Sequence, residues 1–263
     1  MSESRCIRFF AIVFVLFALP AWGGPVSGRI RLAAAADLQP ALPSILAEFE
    51  AQTGIHVDAT YQSSSALATA IENGAPFDLF LAADRSFPQK LIRDHFSDSP
   101  LPVLYGRGTL VLWTRNDSHF HDLSMDSLHD PALKKLAIAN PQHAPYGRAA
   151  QAVLQHLKLY DQLQPKLVIA ENIAQAAQYV SSGNAELGFI SLTSALSLPL
   201  KSAGHYIPVS AAYYPALDQT GIVLKHAAAR DSAYKLLAFI LSPSSQQQLG
   251  QHGISPARSD HSR

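Results

Sequence analysis

Short apolar runs alternate with amphipathic stretches along most of the chain. Residues 30–36 (IRLAAAA) read as a buried strand. Leu38, Leu42, Ile45, Leu46 and Phe49 then recur at helical spacing, and Gly54 is the stop signal. Ile55, Val57, Ala59 and Tyr61 alternate as a strand, and residues 65–72 predict a short helix stopped by Asn73-Gly74. Residues 77–83 (FDLFLAA) form the next predicted strand, with a helix after it ending near Arg93. Further strands are predicted at 109–114, 136–139, 167–170, 186–192 and 221–224. Further helices are predicted at 147–157, 173–182 and 229–241, the last ended by Ser242-Pro243. Strands separated by helices of this length mean βαβ units, hence an α/β fold with mostly parallel sheets. Ligands in such folds bind beyond the carboxyl ends of the strands. No internal repeat or low-complexity linker marks a domain boundary.

The N-terminus breaks this pattern. Arg5 and Arg8 precede an uncharged apolar run over residues 9–19 (FFAIVFVLFAL), which Pro20 interrupts. Small residues at Ala21 and Gly23 complete the signature of a secretory signal peptide over residues 1–23. The run is shorter than the ~20 residues a membrane-spanning helix needs. An uncleaved anchor is the alternative. Removal of the peptide takes away Glu3, Arg5, Arg8 and Cys6, the only cysteine of 263 residues. A cysteine-free exported chain suits a bacterial periplasm, and it excludes a disulfide framework.

Composition narrows the partners. Twenty basic and 20 acidic residues leave no net charge, and only 15% of residues are charged. A nucleic-acid binder working through a broad basic field is therefore excluded. Hydrophobic residues reach 48%, ample for a packed core and unlike a disordered chain. The 11 histidines form no HExxH or comparable ligand set, and the His119-Phe120-His121 run sits in a polar segment, so surface histidines are the expectation. The serines include no G-x-S-x-G elbow, which leaves little for a serine hydrolase.

Three strand-to-helix junctions carry small or hydroxyl residues: Ala35-Ala36-Asp37-Leu38, residues 61–66 (YQSSSA) and residues 140–147 (NPQHAPYG). Glu171-Asn172-Ile173 is a fourth. The first N–H groups of a helix lack internal partners, and the helix dipole makes that end partly positive. Several such ends meeting at one point bind an anion without Lys or Arg. Taken singly, each junction reads equally as helix capping. Arg148, just past the third junction, reads either as an anion-steering group or as a solvated first-turn side chain.

Five segments taken in order, 32–54, 61–91, 105–113, 136–154 and 171–191, resemble the periplasmic molybdate-binding proteins of ABC transporters. The most specific stretches are IENGAPFDLFLAAD with SSS upstream, and NPQHAPYG. The resemblance implies two lobes, 24–106 plus 216–263 and 107–215, each a mostly parallel sheet flanked by helices, with the ligand in the cleft. It implies a monomeric receptor, not an enzyme, that captures molybdate or tungstate and works with a membrane permease and ATPase, without a cofactor. It places oxyanion ligands at Ser64, at Tyr146 and Ile173 through their backbone amides, and at Ala36, Asp37, Ser65 and Ser191, with no direct metal-ion ligand. Two positions depart from the family pattern. Ala36-Asp37 stands where hydroxyl or amide side chains are usual, and Ser191 aligns with a tyrosine of one branch. A carboxylate facing a dianion repels it, so Asp37 is expected to turn away and cap a helix over 38–53, or else to accept a proton from a bound species. A receptor for sulfate or another tetrahedral oxyanion is the alternative reading, and an exported serine hydrolase using Ser64 is a third.

Overall fold

The computed structural model describes residues 28–256. The predicted signal peptide and Cys6 lie outside the described residues. Eleven strands fall into two sheets. The first, in the order β11-β4-β10-β3-β1-β2, is built from β1 (Arg29–Ala35), β2 (His56–Gln62), β3 (Leu79–Ala82), β4 (Val103–Gly108), β10 (Leu217–Val223) and β11 (Ser255–Pro256). The second, in the order β7-β6-β8-β5-β9, is built from β5 (Leu110–Arg115), β6 (Leu136–Ala139), β7 (Leu167–Ala170), β8 (Leu187–Ser191) and β9 (Gly204–Pro208). Ten helices flank them among the described residues: α1 (Leu42–Thr53), α2 (Ser64–Glu72), α3 (Ser86–Arg93), α4 (Pro145–His156), α5 (Tyr160–Leu163), α6 (Ile173–Ser181), α7 (Leu192–Leu196), α8 (Leu198–Ala203), α9 (Arg230–Ile240) and α10 (Pro243–Gln251). The chain passes from the first sheet to the second between Gly108 and Leu110 and returns between Pro208 and Leu217.

Both sheets are mixed, whereas the strand–helix alternation predicts mostly parallel ones. Strand β1 pairs in parallel with β2 and β3, and β6 does so with β7 and β8. The antiparallel pairings involve β4, β5, β9, β10 and β11. Four of these lead the chain out of one sheet into the other, so their direction follows from the crossing rather than from a helical crossover.

Residue alternation explains the layers. In β1, Ile30, Leu32 and Ala34 face a cluster with α1, α9 and α10, while Ala33 faces α2 and α3. Leu79 and Leu81 of β3 share the first cluster, Phe80 and Ala82 the second. In β5, Leu110 and Leu112 pack beneath α4, while Val111 and Trp113 pack against α6 and α7. A period of two on a strand covered on both faces gives this partition.

Several boundaries differ from the sequence reading. Helix α1 begins at Leu42 rather than near Leu38, because a single 3₁₀ turn (Ala36–Leu38) and Pro40 come first. Ser242-Pro243 stops α9 and also starts α10, with the Ser242 hydroxyl accepting from the Ser245 amide. Strands β4 and β9 also lie outside the stretches predicted from pattern.

Candidate functional site

The carboxyl ends of five parallel-paired strands meet at the cleft between the sheets, and the residues just past them line one cavity. After β1 come Ala36 and Asp37; after β2, Ser63 and Ser64; after β3, Ala83; after β6, Pro145 and Tyr146; after β7, Asn172 and Ile173. The cavity volume is about 10 Å³, and no Lys, Arg or His lines it.

Three helices of eight residues or more begin at this wall. Ser63 caps α2, its hydroxyl accepting from the Ala66 amide, and Asn172 caps α6 by accepting from the Gln175 amide. Helix α4 starts with Pro145 in its first turn and no side-chain cap. The amides of Ser64, Tyr146 and Ile173 fall in these first turns, where a helix offers no internal partner. The approach is tight at Gly147: a Cβ there meets the Asn140 carbonyl carbon at 2.7 Å and, closer still, the Ala139 carbonyl. Only glycine lets the first turn of α4 sit against the end of β6.

Ser64 is buried, and its hydroxyl accepts from the Ala83 amide at 3.0 Å. Its own proton remains available to donate. Tyr146 is buried as well, and its phenol donates to Asp37 Oδ2 at 3.0 Å.

Asp37 corrects its expectation. It does not cap α1. The 3₁₀ turn and Pro40 separate it from α1, whose own N-cap is Ala41, with no side-chain cap. Instead its carboxylate is fully buried and also receives the Gln219 amide nitrogen. The Thr193 hydroxyl donates to the Asp37 carbonyl at 2.7 Å. Asp37 Oδ1 is buried with no hydrogen-bond partner. Burial raises the carboxyl pKa from 3.8 to about 6, against the opposing pull of Tyr146, Gln219 and the residue's own backbone amide. Burial and the nearby Asp37 also push the Tyr146 phenol well above its usual 10.

Of the residues the resemblance singled out, Ala36, Asp37, Ser64, Tyr146 and Ile173 come together at the cavity. Ser65 and Ser191 do not line it. The Ser65 amide donates to the His143 carbonyl at 3.2 Å, a contact from one lobe to the other. The Ser191 hydroxyl caps α7 and bonds the hydroxyls of Thr193 and Ser194. Arg148 keeps 39% of its side-chain surface exposed, and it pairs with Asp84 and lies over the Phe87 ring at 5.4 Å. Gln219 and Thr193 escape sequence reasoning because each reaches the site across the fold, from β10 and α7, with no local motif. Among the described residues no group of three or more His, Cys, Asp or Glu is placed to hold a metal ion, and no helix is long and apolar enough to cross a membrane.

Two sheets joined by chain crossings, with a donor-lined cavity between them, define a two-lobed solute-binding protein. A family profile described as bacterial extracellular solute-binding protein matches residues 30–255, and the chain belongs to that family. It is similar to the molybdate-binding protein ModA of Azotobacter vinelandii, 33% identical over 86% of this chain and 90% of that one. The ModA of Rhodobacter capsulatus is likewise 33% identical, over 90% of both chains. The solved Azotobacter vinelandii periplasmic molybdate-binding protein superposes with a TM-score of 0.82 at 30% identity, covering 87% of this chain and all of that chain.

Proposed function

We propose that the protein is the periplasmic receptor of an ABC transporter for molybdate, with tungstate as a second ligand. It delivers the anion as a monomer to a membrane permease driven by an ATPase. The observation that carries this reading is the convergence of the α2, α4 and α6 starts and the Ser64 hydroxyl on one cavity without a cationic side chain. A dianion with no proton of its own needs donors only. Amide and hydroxyl donors contribute about 1.5–3 kcal/mol each toward a charged partner, so a handful supports tight binding. The relatives named as molybdate-binding proteins support the choice of anion.

In this reading Ser64 donates its hydroxyl, while Ala36, Tyr146 and Ile173 donate backbone amides. The lobes, 24–106 plus 216–263 and 107–215, close as hinged bodies about the two crossings. The bonds from Thr193 and Tyr146 to Asp37, and from Ser65 to His143, are the closure contacts. A thermal-shift panel of molybdate, tungstate, sulfate, phosphate and chromate tests the proposal. Ligand-dependent stabilisation by molybdate and tungstate is expected. Sulfate stabilising as strongly as molybdate overturns the choice of anion, and no shift with any of them overturns the receptor reading.

A further inference from the structure

Asp37 carries the one carboxylate among the residues lining the cavity. It is fully buried, its residue is one of those lining the cavity, and one of its two oxygens, Oδ2, already receives both Tyr146 and Gln219. Its other oxygen, Oδ1, has no partner although it is buried. An ionised carboxylate with an unpaired buried oxygen is costly in itself, and beside a bound dianion it adds direct repulsion. A proton on Oδ1 removes both penalties and turns the group into a donor, as the Ser64 hydroxyl is.

Resting on the receptor reading above, we propose that capture is proton-coupled: the protein binds its oxyanion together with one proton, which is held on Asp37. The proton comes from solvent and stays on the carboxyl while the lobes are closed. Asp37 is also where closure is registered, since Tyr146 and Thr193 reach it from the other sheet's side of the cleft and Gln219 reaches it from β10. The anion, the proton and the closed form therefore stabilise one another. That is a coupling between sites, and it is reciprocal.

The titratable groups around Asp37 are few. Its 3₁₀ turn packs against β2, α6 and α7. On β2 the nearest titratable group along the chain is Tyr61, pushed by burial to about 12. Helix α7 carries no titratable residue, and the only one on α6 is Tyr179, in its last turn. Tyr105 and Tyr146, which feel the Asp37 charge, are both held well above 10 by burial. Asp84 is paired with Arg148. His143 stands at the third junction and contacts Ser65 through its carbonyl.

Calorimetry of molybdate binding at pH 7.5 in two buffers of different ionisation enthalpy counts the protons directly. With the free carboxyl titrating near 6, the expected result is close to one proton taken up per anion. Affinity should weaken about 50-fold between pH 6 and pH 8. Asp37→Asn, which keeps an acceptor for Tyr146 and Gln219 and adds a permanent donor, should bind without proton uptake and with a flat pH profile. His143→Gln should retain the wild-type slope. Binding by the wild type with no proton uptake and equal affinity at both pH values overturns the inference and leaves the receptor reading standing. A slope that vanishes in His143→Gln and persists in Asp37→Asn also overturns it. If no oxyanion binds at either pH, the receptor reading fails and the inference falls with it.

Discussion

Replacing Ser64 by alanine tests both roles the structure gives its hydroxyl. The oxygen accepts from the Ala83 amide at 3.0 Å, and the residue is 1% exposed. In the unliganded protein Ser64→Ala leaves a buried N–H without its partner, which costs about 1–3 kcal/mol of stability. For a protein of this size each kcal/mol moves the melting temperature by about 2–4 °C, so a drop is readable by scanning calorimetry. In the liganded protein the substitution also removes one donor to a charged oxygen, about 1–3 kcal/mol, which raises the dissociation constant about 5- to 150-fold. Titration calorimetry with molybdate separates the two effects, because the stability loss is common to free and bound protein while the affinity loss is not. An affinity within about twofold of wild type refutes the placement of the Ser64 hydroxyl on the ligand. An unchanged melting temperature without ligand refutes the energetic importance of the Ala83 bond.

Two further outcomes follow from the same geometry. Gly147→Ala forces a Cβ against the carbonyls of Ala139 and Asn140, which are backbone and cannot swing aside; it should destabilise the fold by about 1–3 kcal/mol and weaken molybdate binding by displacing the Tyr146 amide, as denaturant unfolding and titration together will show. The Asp37 carboxyl titrates at about 6 in the folded chain against 3.8 ordinarily, so the native state holds the proton more tightly than the unfolded chain does; stability conferred by that proton is full below about 4, is lost as pH rises toward 6, and Asp37→Asn should therefore exceed the unliganded wild type by on the order of 3 kcal/mol at pH 7.5 but not at pH 4, in urea unfolding at the two pH values.

How much of this was legible in the sequence depends on the range of the interactions involved. Strands β6 and β7 match their predicted spans, 136–139 and 167–170, because each is a short apolar run bounded by turn signals. Strand β9 was not predicted: its residues are all only partly buried or exposed, and it belongs to the sheet only through its pairing with β5. The site divides along the same line. Ser64, Tyr146 and Ile173 stand in the first turns of helices, so local signals and family resemblance point to them. The hydrogen bonds of Asp37 are not legible in the sequence, where its neighbours are only the strand before it and the helix after it. Its actual partners are 109 and 182 residues away in the chain, at Tyr146 and Gln219, and only folding brings them together. Those two donors hold Oδ2 in place, and burial supplies the opposing push that keeps the proton affinity of the carboxyl high. A carboxylate that local sequence assigns to a helix cap is thus held by hydrogen bonds from across the fold. In the proposed proton-coupled capture, the conflict between its charge and the dianion's is removed by a proton instead of by distance.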